Sequence, residues 1–238
     1  MKYNVTLLFI LFSFMLFTGR FFPTPLNNRT VSGTITRILP AVVELRPGFA
    51  HRLGAGVLIS EDGWIMTAKH VVEGQKVMIA TTIGGVKYMS TTIIADPNSD
   101  IAILKIDANP EDGGHVFPHV QLRQDYPRLG EFVFAIGHPL GVFNSISWGV
   151  VSNVHKNILP YGRDLIITDA EITNGNSGGP LLDMRGRLVG IVVAGTGYWT
   201  GFEANLVVPV VRGRKLLEKY VQQQGNSARC DEVDVSAL

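Results

Sequence analysis

The sequence predicts an all-β protein: two small antiparallel barrels packed together, a C-terminal helix, and a hydrophobic segment ahead of both. From Val31 onward, short Val- and Ile-rich runs recur between Gly, Pro, Asn and Asp, the pattern of strands joined by tight turns. The runs fall into two groups of about six, separated by a stretch with no hydrophobic period, which gives two barrels of similar size. Composition agrees. With 46% hydrophobic and 17% charged residues, 238 residues can bury a core, and 26 glycines exceed the usual share of about 7%.

The N-terminus is a separate object. After Lys2, Val5 to Phe17 is apolar and no charge appears until Arg20, the form of a secretory signal. No small-x-small cleavage pattern follows, and the 17 residues from Tyr3 to Gly19 stand at the lower limit for spanning a hydrocarbon core. Residues 1–20 are therefore expected to be either a retained signal-anchor, the reading preferred, or a cleaved signal peptide, with membrane contact through residues 3–19. Either way the remainder is delivered outside the cytoplasm, anchored, secreted or periplasmic. Residues 21–30, with Pro23 and Pro25, read as a linker, and Asn28-Arg29-Thr30 is a glycosylation sequon in a eukaryotic secretory pathway.

The first barrel, about residues 31–115, takes strands at 41–45, 54–59, 64–67, 76–79, 88–94 and 101–106. Residues 108–129, rich in Pro and Gly, form the connection. The second barrel, about 125–210, takes strands at 132–136, 146–154, 165–169, 188–193 and 202–208. A helix follows over 211–224, with Leu216, Leu217, Tyr220 and Val221 at helical spacing. The folded domain spans 31–223, and 224–238 is a tail.

Several function classes fall away. Lys plus Arg is 21 against Asp plus Glu 20, a formal charge of +1, which leaves no electrostatic footprint for nucleic acid. Cys230 stands alone, so an intrachain disulfide and a cysteine zinc site are both excluded. His115 and His119 have i,i+4 spacing, but Pro118 opposes the helix that would align two rings on a metal. Neither metal nor cofactor is expected. Trp148, Tyr198 and Trp199 read as core or pocket-rim aromatics.

Chemistry concentrates at Gly175-Asn176-Ser177-Gly178-Gly179-Pro180. Glycines around a serine let the chain turn tightly, let a carbonyl carbon approach the hydroxyl, and let amide N–H groups converge on a developing oxyanion. Standing alone, the segment would read as a Gly-rich turn with an incidental serine. It also fits the G-x-S-x-G elbow of α/β-hydrolases, but those enzymes need a histidine after the serine. All six histidines here (51, 70, 115, 119, 138, 155) precede Ser177. An activated serine needs a base, and the base needs a group that fixes its tautomer. His70 ends an apolar strand and enters a short turn or helix; Asp100 immediately precedes another apolar strand, where its carboxylate would be largely desolvated. Either alone would read as structural. Their order, His then Asp then Ser with gaps of 30 and 77 residues, raises both.

At these residues the chain resembles trypsin-like serine proteases of the HtrA/Deg branch. Gly54 to Ser60 with His70-Val71-Val72 looks like the family's histidine region. Ser99-Asp100-Ile101-Ala102 with Lys105-Ile106-Asp107 looks like its aspartate region. Phe134 to Gly141, then Gly149-Val150-Val151-Ser152, resembles a hairpin of its second barrel, and Thr168-Asp169-Ala170 through Ser177 to Leu181, then Gly190-Ile191, its nucleophile region. Five blocks in one order are far more specific than any single motif.

The resemblance implies a chymotrypsin/trypsin-like double β-barrel with its site between the barrels. It implies Ser177 as nucleophile, His70 as base, Asp100 as its orienting partner, and the N–H groups of Gly175 and Ser177 as oxyanion hole. Glu171, six residues before the nucleophile, lies near the expected base of the P1 pocket, where the branch carries a small residue. A buried carboxylate there would favour basic side chains; a solvent-facing one leaves Ile172, Val193 and the 195–201 loop to line an apolar pocket. Eighteen residues follow Tyr220, too few for a PDZ module, so that domain is expected to be absent. Asn176 rather than Asp precedes Ser177, so activation by a newly cut N-terminus is not expected. Loop ordering by substrate or by oligomerisation takes its place; the branch forms trimers through N-terminal segments, and Phe21-Phe22 is the candidate contact. The expected activity is endopeptidase cleavage of unfolded or flexible proteins. A non-catalytic, chaperone-like peptide binder and an esterase on the same scaffold stay open.

Overall fold

The computed structural model describes residues 28–48, 53–107, 116–138, 145–158, 162–173, 175–195 and 205–232. The chain divides into units at Gly33, inside helix α1 (Asn28–Ile38), and both barrels lie in the unit that begins at Thr34. A 3-10 turn, Leu39–Ala41, leads into the first strand.

The first barrel is a seven-stranded antiparallel sheet of β1 (Val42–Pro47), β2 (Gly54–Leu58), β3 (Trp64–Thr67), β4 (Met78–Thr81), β5 (Lys87–Ser90), β6 (Thr92–Ala95) and β7 (Ala102–Lys105). Its order is β5-β4-β1-β2-β3-β7-β6. The two ends of that order, β5 and β6, are consecutive in sequence with only Thr91 between them, so the chain itself closes the sheet. Asp107 N–H donates to Met89 O at 2.8 Å across the same seam. Val57, Ile65, Met66, Ile103 and Leu104 are fully buried on its two faces, each worth about 1.5–3 kcal/mol of transfer free energy.

The second barrel closes through a full ring of paired strands. Its strands are β8 (Phe132–Gly137), β9 (Ser145–Ile158), β10 (Gly162–Thr168), β11 (Pro180–Asp183), β12 (Leu188–Gly195) and β13 (Asn205–Pro209), in the order β10-β13-β12-β11-β8-β9. Side-chain alternation shows why several of these strands read as unbroken apolar runs. Val133, Ala135, Leu181, Val192 and Val207 fill this barrel. Their neighbours Phe134, Ile136, Leu182, Ile191, Leu206 and Val208 join the cluster that also holds the first barrel's core. One continuous apolar layer thus joins the barrels and fixes where their facing edges meet.

Helix α3 (Val210–Glu232) follows directly on β13. It rests on the first barrel at Gly213, where a Cβ would collide with Met66 and Ile101, and Tyr220 packs edge-on against Trp64 with ring centroids 5.6 Å apart. The structure departs from the sequence reading in four elements. Helix α1 takes residues 28–30 of the expected linker and the start of the domain, the strand expected at 88–94 is two strands broken at Thr91, β11 is a strand where none was expected, and α3 runs past 224 into the expected tail. A four-residue strand behind Gly-Gly-Pro is too short to show a period, and in α1 Gly33 and the β-branched residues weaken the helical signal of Val31, Ile35 and Ile38.

Candidate active site

Strand register places the first two site residues. Thr67 of β3 pairs with Ala102 of β7. The short helix α2 (Lys69–Val72), entered through extended Ala68, therefore brings His70 beside Asp100, two residues before Ala102. Asp100 Oδ1 accepts the His70 backbone N–H at 2.9 Å, and Oδ2 lies 2.6 Å from ring Nδ1. The turn carrying Asp100 is itself pinned: Asp96 accepts Asn98 N–H at 2.8 Å and Ser99 Oγ–H at 2.7 Å, and donates its own N–H to Ile101 O at 2.9 Å. A carboxylate on Nδ1 selects the tautomer with the proton there, leaving the Nε2 lone pair as base. The Asp100 side chain is 25% exposed and that of His70 43%, so the pair is wetter than the largely desolvated aspartate expected from sequence.

The serine turn is built by glycine. Gly175 has φ +100° and Gly178 φ +84°, left-handed conformations that other residues rarely adopt. Asn176 N–H donates to Thr173 O at 3.0 Å, Gly179 N–H to Asn176 O at 2.9 Å, and Gly178 N–H to Val192 O at 2.8 Å. Among the described residues, neither the Gly175 nor the Ser177 N–H has an acceptor.

The two halves meet on β2. Ser177 O accepts Ala55 N–H at 2.9 Å. A Cβ placed on Gly54 would stand 2.6 Å from Val71 Cγ1 and 3.3 Å from Ser177 O, so the residue after His70 and the backbone of Ser177 flank one point. Gly178 presses against Ala55 O and Thr67 Oγ1, where no Cβ fits, and Thr67 Oγ–H donates to Ala55 O at 2.7 Å. The fit of Gly54 against Ser177 O and of Thr67 against Gly178 has no signal in the sequence, because in each case the two residues lie more than a hundred positions apart.

The other candidates disperse. Glu171 is exposed, and its carbonyl accepts Ser147 Oγ–H at 2.6 Å. Ile172 is half-buried against the second barrel's core, and Val193 is 5% exposed within the apolar layer. Residues 196–204, with Tyr198 and Trp199, lie outside the described residues, as do residues 1–20, His51 and His115. His119 is exposed, its Nδ1 3.1 Å from Phe117 O, and among the described residues no three His, Cys, Asp or Glu side chains cluster as for a metal. Trp148 is 45% exposed and tilts over Phe134 with centroids 5.0 Å apart. No described helix is long and apolar enough to cross a membrane.

Against known proteins, residues 54–191 match the trypsin-like peptidase domain model. A probable periplasmic serine endoprotease DegP-like of Chlamydia pneumoniae is 33% identical over 175 residues, 71% of this chain and 34% of the relative. Serine endoprotease DegS of Haemophilus influenzae is 33% identical over 178 residues, 72% of this chain and 51% of the relative. The chain thus spans about a third of the length of its DegP-like relative and half that of DegS. Among solved structures, HtrA-type protease AlgW with a tripeptide superposes with TM-score 0.70 at 30% identity, covering 82% of this chain and 64% of that one. The serine endoprotease from Yersinia pestis gives TM-score 0.66 at 28% identity, covering 84% and 68%.

Proposed function

The chain belongs to the trypsin-like peptidase family in its HtrA/DegP branch, and on that footing we propose that it is a serine endopeptidase. Ser177 Oγ attacks the scissile carbonyl carbon while His70 Nε2 takes its proton, and Asp100 steadies the imidazolium that results. The tetrahedral oxyanion sits against the N–H groups of Gly175 and Ser177. Collapse expels the amine, which receives the proton from His70, and water then repeats the sequence on the acyl-enzyme. One observation supports the reading above all: Val71, next to the doubly held His70, and the Ser177 backbone meet at one point of β2.

The substrates are extended segments of unfolded or flexible protein, which bind a cleft between barrels by adding a strand. The side chain before the cut is apolar, because Glu171 is exposed and Ile172 is the accessible apolar surface next to it. The reaction takes place outside the cytoplasm, in keeping with an apolar N-terminal segment and with relatives named periplasmic. Degradation of unfolded casein tests the proposal: the full chain should cleave it and Ser177→Ala should not. Binding of casein without cleavage by the unaltered chain would instead make the protein a peptide-binding relative.

A further inference from the structure

Two buried titratable groups that the triad leaves unused meet at His138, the residue that follows β8. The ring is 1% exposed, hydrogen-bonded by the backbone of Val43 and within the field of Glu44, both on β1 of the first barrel. Glu44 is 3% exposed; one of its oxygens takes the Arg46 guanidinium, and Oε2 has no partner among the described residues. The charged groups facing the ring are therefore Glu44 and, behind it, Arg46. Strands β8 and β2 and the described part of the serine turn (173 and 175–178) contain no ionisable side chain. Two costly groups have thus been buried at the seam between barrels, where apolar residues would cost less.

The main chain of the same residue reaches the serine turn. His138 N–H donates to Gly175 O at 3.2 Å, and on the opposite edge of that peptide Asn176 N–H donates to Thr173 O at 3.0 Å. This peptide plane, between Gly175 and Asn176, lies between the two candidate oxyanion donors, and it is held at both edges. Gly137, one residue earlier, lies against the Asn176 side chain so closely that no Cβ fits.

We infer that His138 is a positioning residue: its uncharged ring docks β8 on β1, and its main chain thereby sets the peptide that aligns the Gly175 and Ser177 N–H groups. This rests on the oxyanion reading proposed above. Burial holds the ring's proton affinity below the ordinary histidine range and outweighs the opposing pull of Glu44 and the Val43 backbone. A ring that gains a proton in acid seeks water, loosens its dock and releases the clamp on Gly175. Alignment of the oxyanion donors then fails before the fold does.

The test compares the full chain with His138→Ala, which removes the ring, and His138→Gln, which keeps a polar group there but does not titrate. Steady-state cleavage of a peptide amide should show His138→Ala losing about tenfold to a hundredfold in kcat with KM within about twofold. His138→Gln should recover most of that loss at neutral pH. On the acid limb, log kcat of the unaltered chain should fall more steeply than that of His138→Gln, by about one unit of slope. Melting curves at the assay temperature confirm that each variant is folded. An unaltered kcat in His138→Ala, or identical acid limbs, overturns the inference. If the unaltered chain proves inactive, that failure belongs to the catalytic reading. The positioning claim is then read from the amide resonances of Gly175 and Ser177, which should move with acid in the unaltered chain and stay still in His138→Gln; equal movement in both overturns it.

Discussion

Asp100 holds His70 twice, accepting its backbone N–H on one carboxylate oxygen at 2.9 Å and meeting ring Nδ1 with the other at 2.6 Å. The first contact fixes the main chain of α2; the second fixes the tautomer and the plane of the ring. A residue that did only the second would leave the imidazole free to swing with its helix.

Replacing Asp100 by Asn separates these two jobs. The amide oxygen can still accept the backbone N–H, but the negative charge is lost and the wrong tautomer becomes available. The expected result is a fall in kcat of about 10⁴ with KM nearly unchanged, read from initial rates on a peptide amide. A loss confined to KM would show that Asp100 serves substrate binding instead.

Gly178→Ala tests the seam on which the serine turn rests. With φ +84° and no room before Ala55 O and Thr67 Oγ1, a methyl group must displace backbone of the first barrel. The expected cost is about 2–4 kcal/mol in urea unfolding, together with loss of cleavage. Thr67→Val, which removes only the hydroxyl that donates to Ala55 O, should cost about 1–2 kcal/mol.

Far from the serine turn, Arg123 supplies a control. It is 5% exposed, meets Asp125 at 3.0 and 3.1 Å, pairs with Glu131, and lies 4.0 Å from buried Asp183. Arg123→Met leaves Glu131 without its cation, whereas Asp183 keeps Arg187 at 2.7 Å, and should destabilise by about 1–3 kcal/mol. At temperatures where it stays folded, its kcat should remain within about threefold of the unaltered chain.

Stability should also follow pH through His138. Its proton affinity in the fold is lowered from the ordinary 6.5, so the unfolded chain binds more protons between the two values and acid favours unfolding. The contribution is complete above about pH 6.5 and is lost as pH falls through the folded-state value. Calorimetric melting from pH 7 to 4.5 should show a steeper fall in Tm for the unaltered chain than for His138→Gln. Parallel curves would mean that His138 is accessible to protons in the folded state.

What the sequence disclosed, and what it withheld, divides by the range of the physics. Strands β8, β12 and β13 were legible because both their faces are apolar and turns bracket them. His70, Asp100 and Ser177 were legible through their order and the residue types around them. Strand β11 was not, because Pro180 to Asp183 is too short to carry a period, and α1 was not, because Gly33 and the β-branched residues weaken the helical signal of its Val31, Ile35 and Ile38 face. The roles of Gly54, Thr67 and His138 were hidden for another reason. Each meets at least one partner far along the chain, Ser177 for Gly54, Gly178 for Thr67 and Val43 for His138, and no local pattern encodes a contact between the two barrels.

The most direct test of the catalytic assignment is labelling with a fluorophosphonate followed by peptide mapping, with the unaltered chain, Asp100→Asn and Ser177→Ala side by side. The unaltered chain should gain one phosphonyl group, on the peptide containing Ser177; Asp100→Asn should label far more slowly, and Ser177→Ala should stay unlabelled. A phosphonyl group on any other serine, or undiminished labelling of Ser177→Ala, would contradict the assignment.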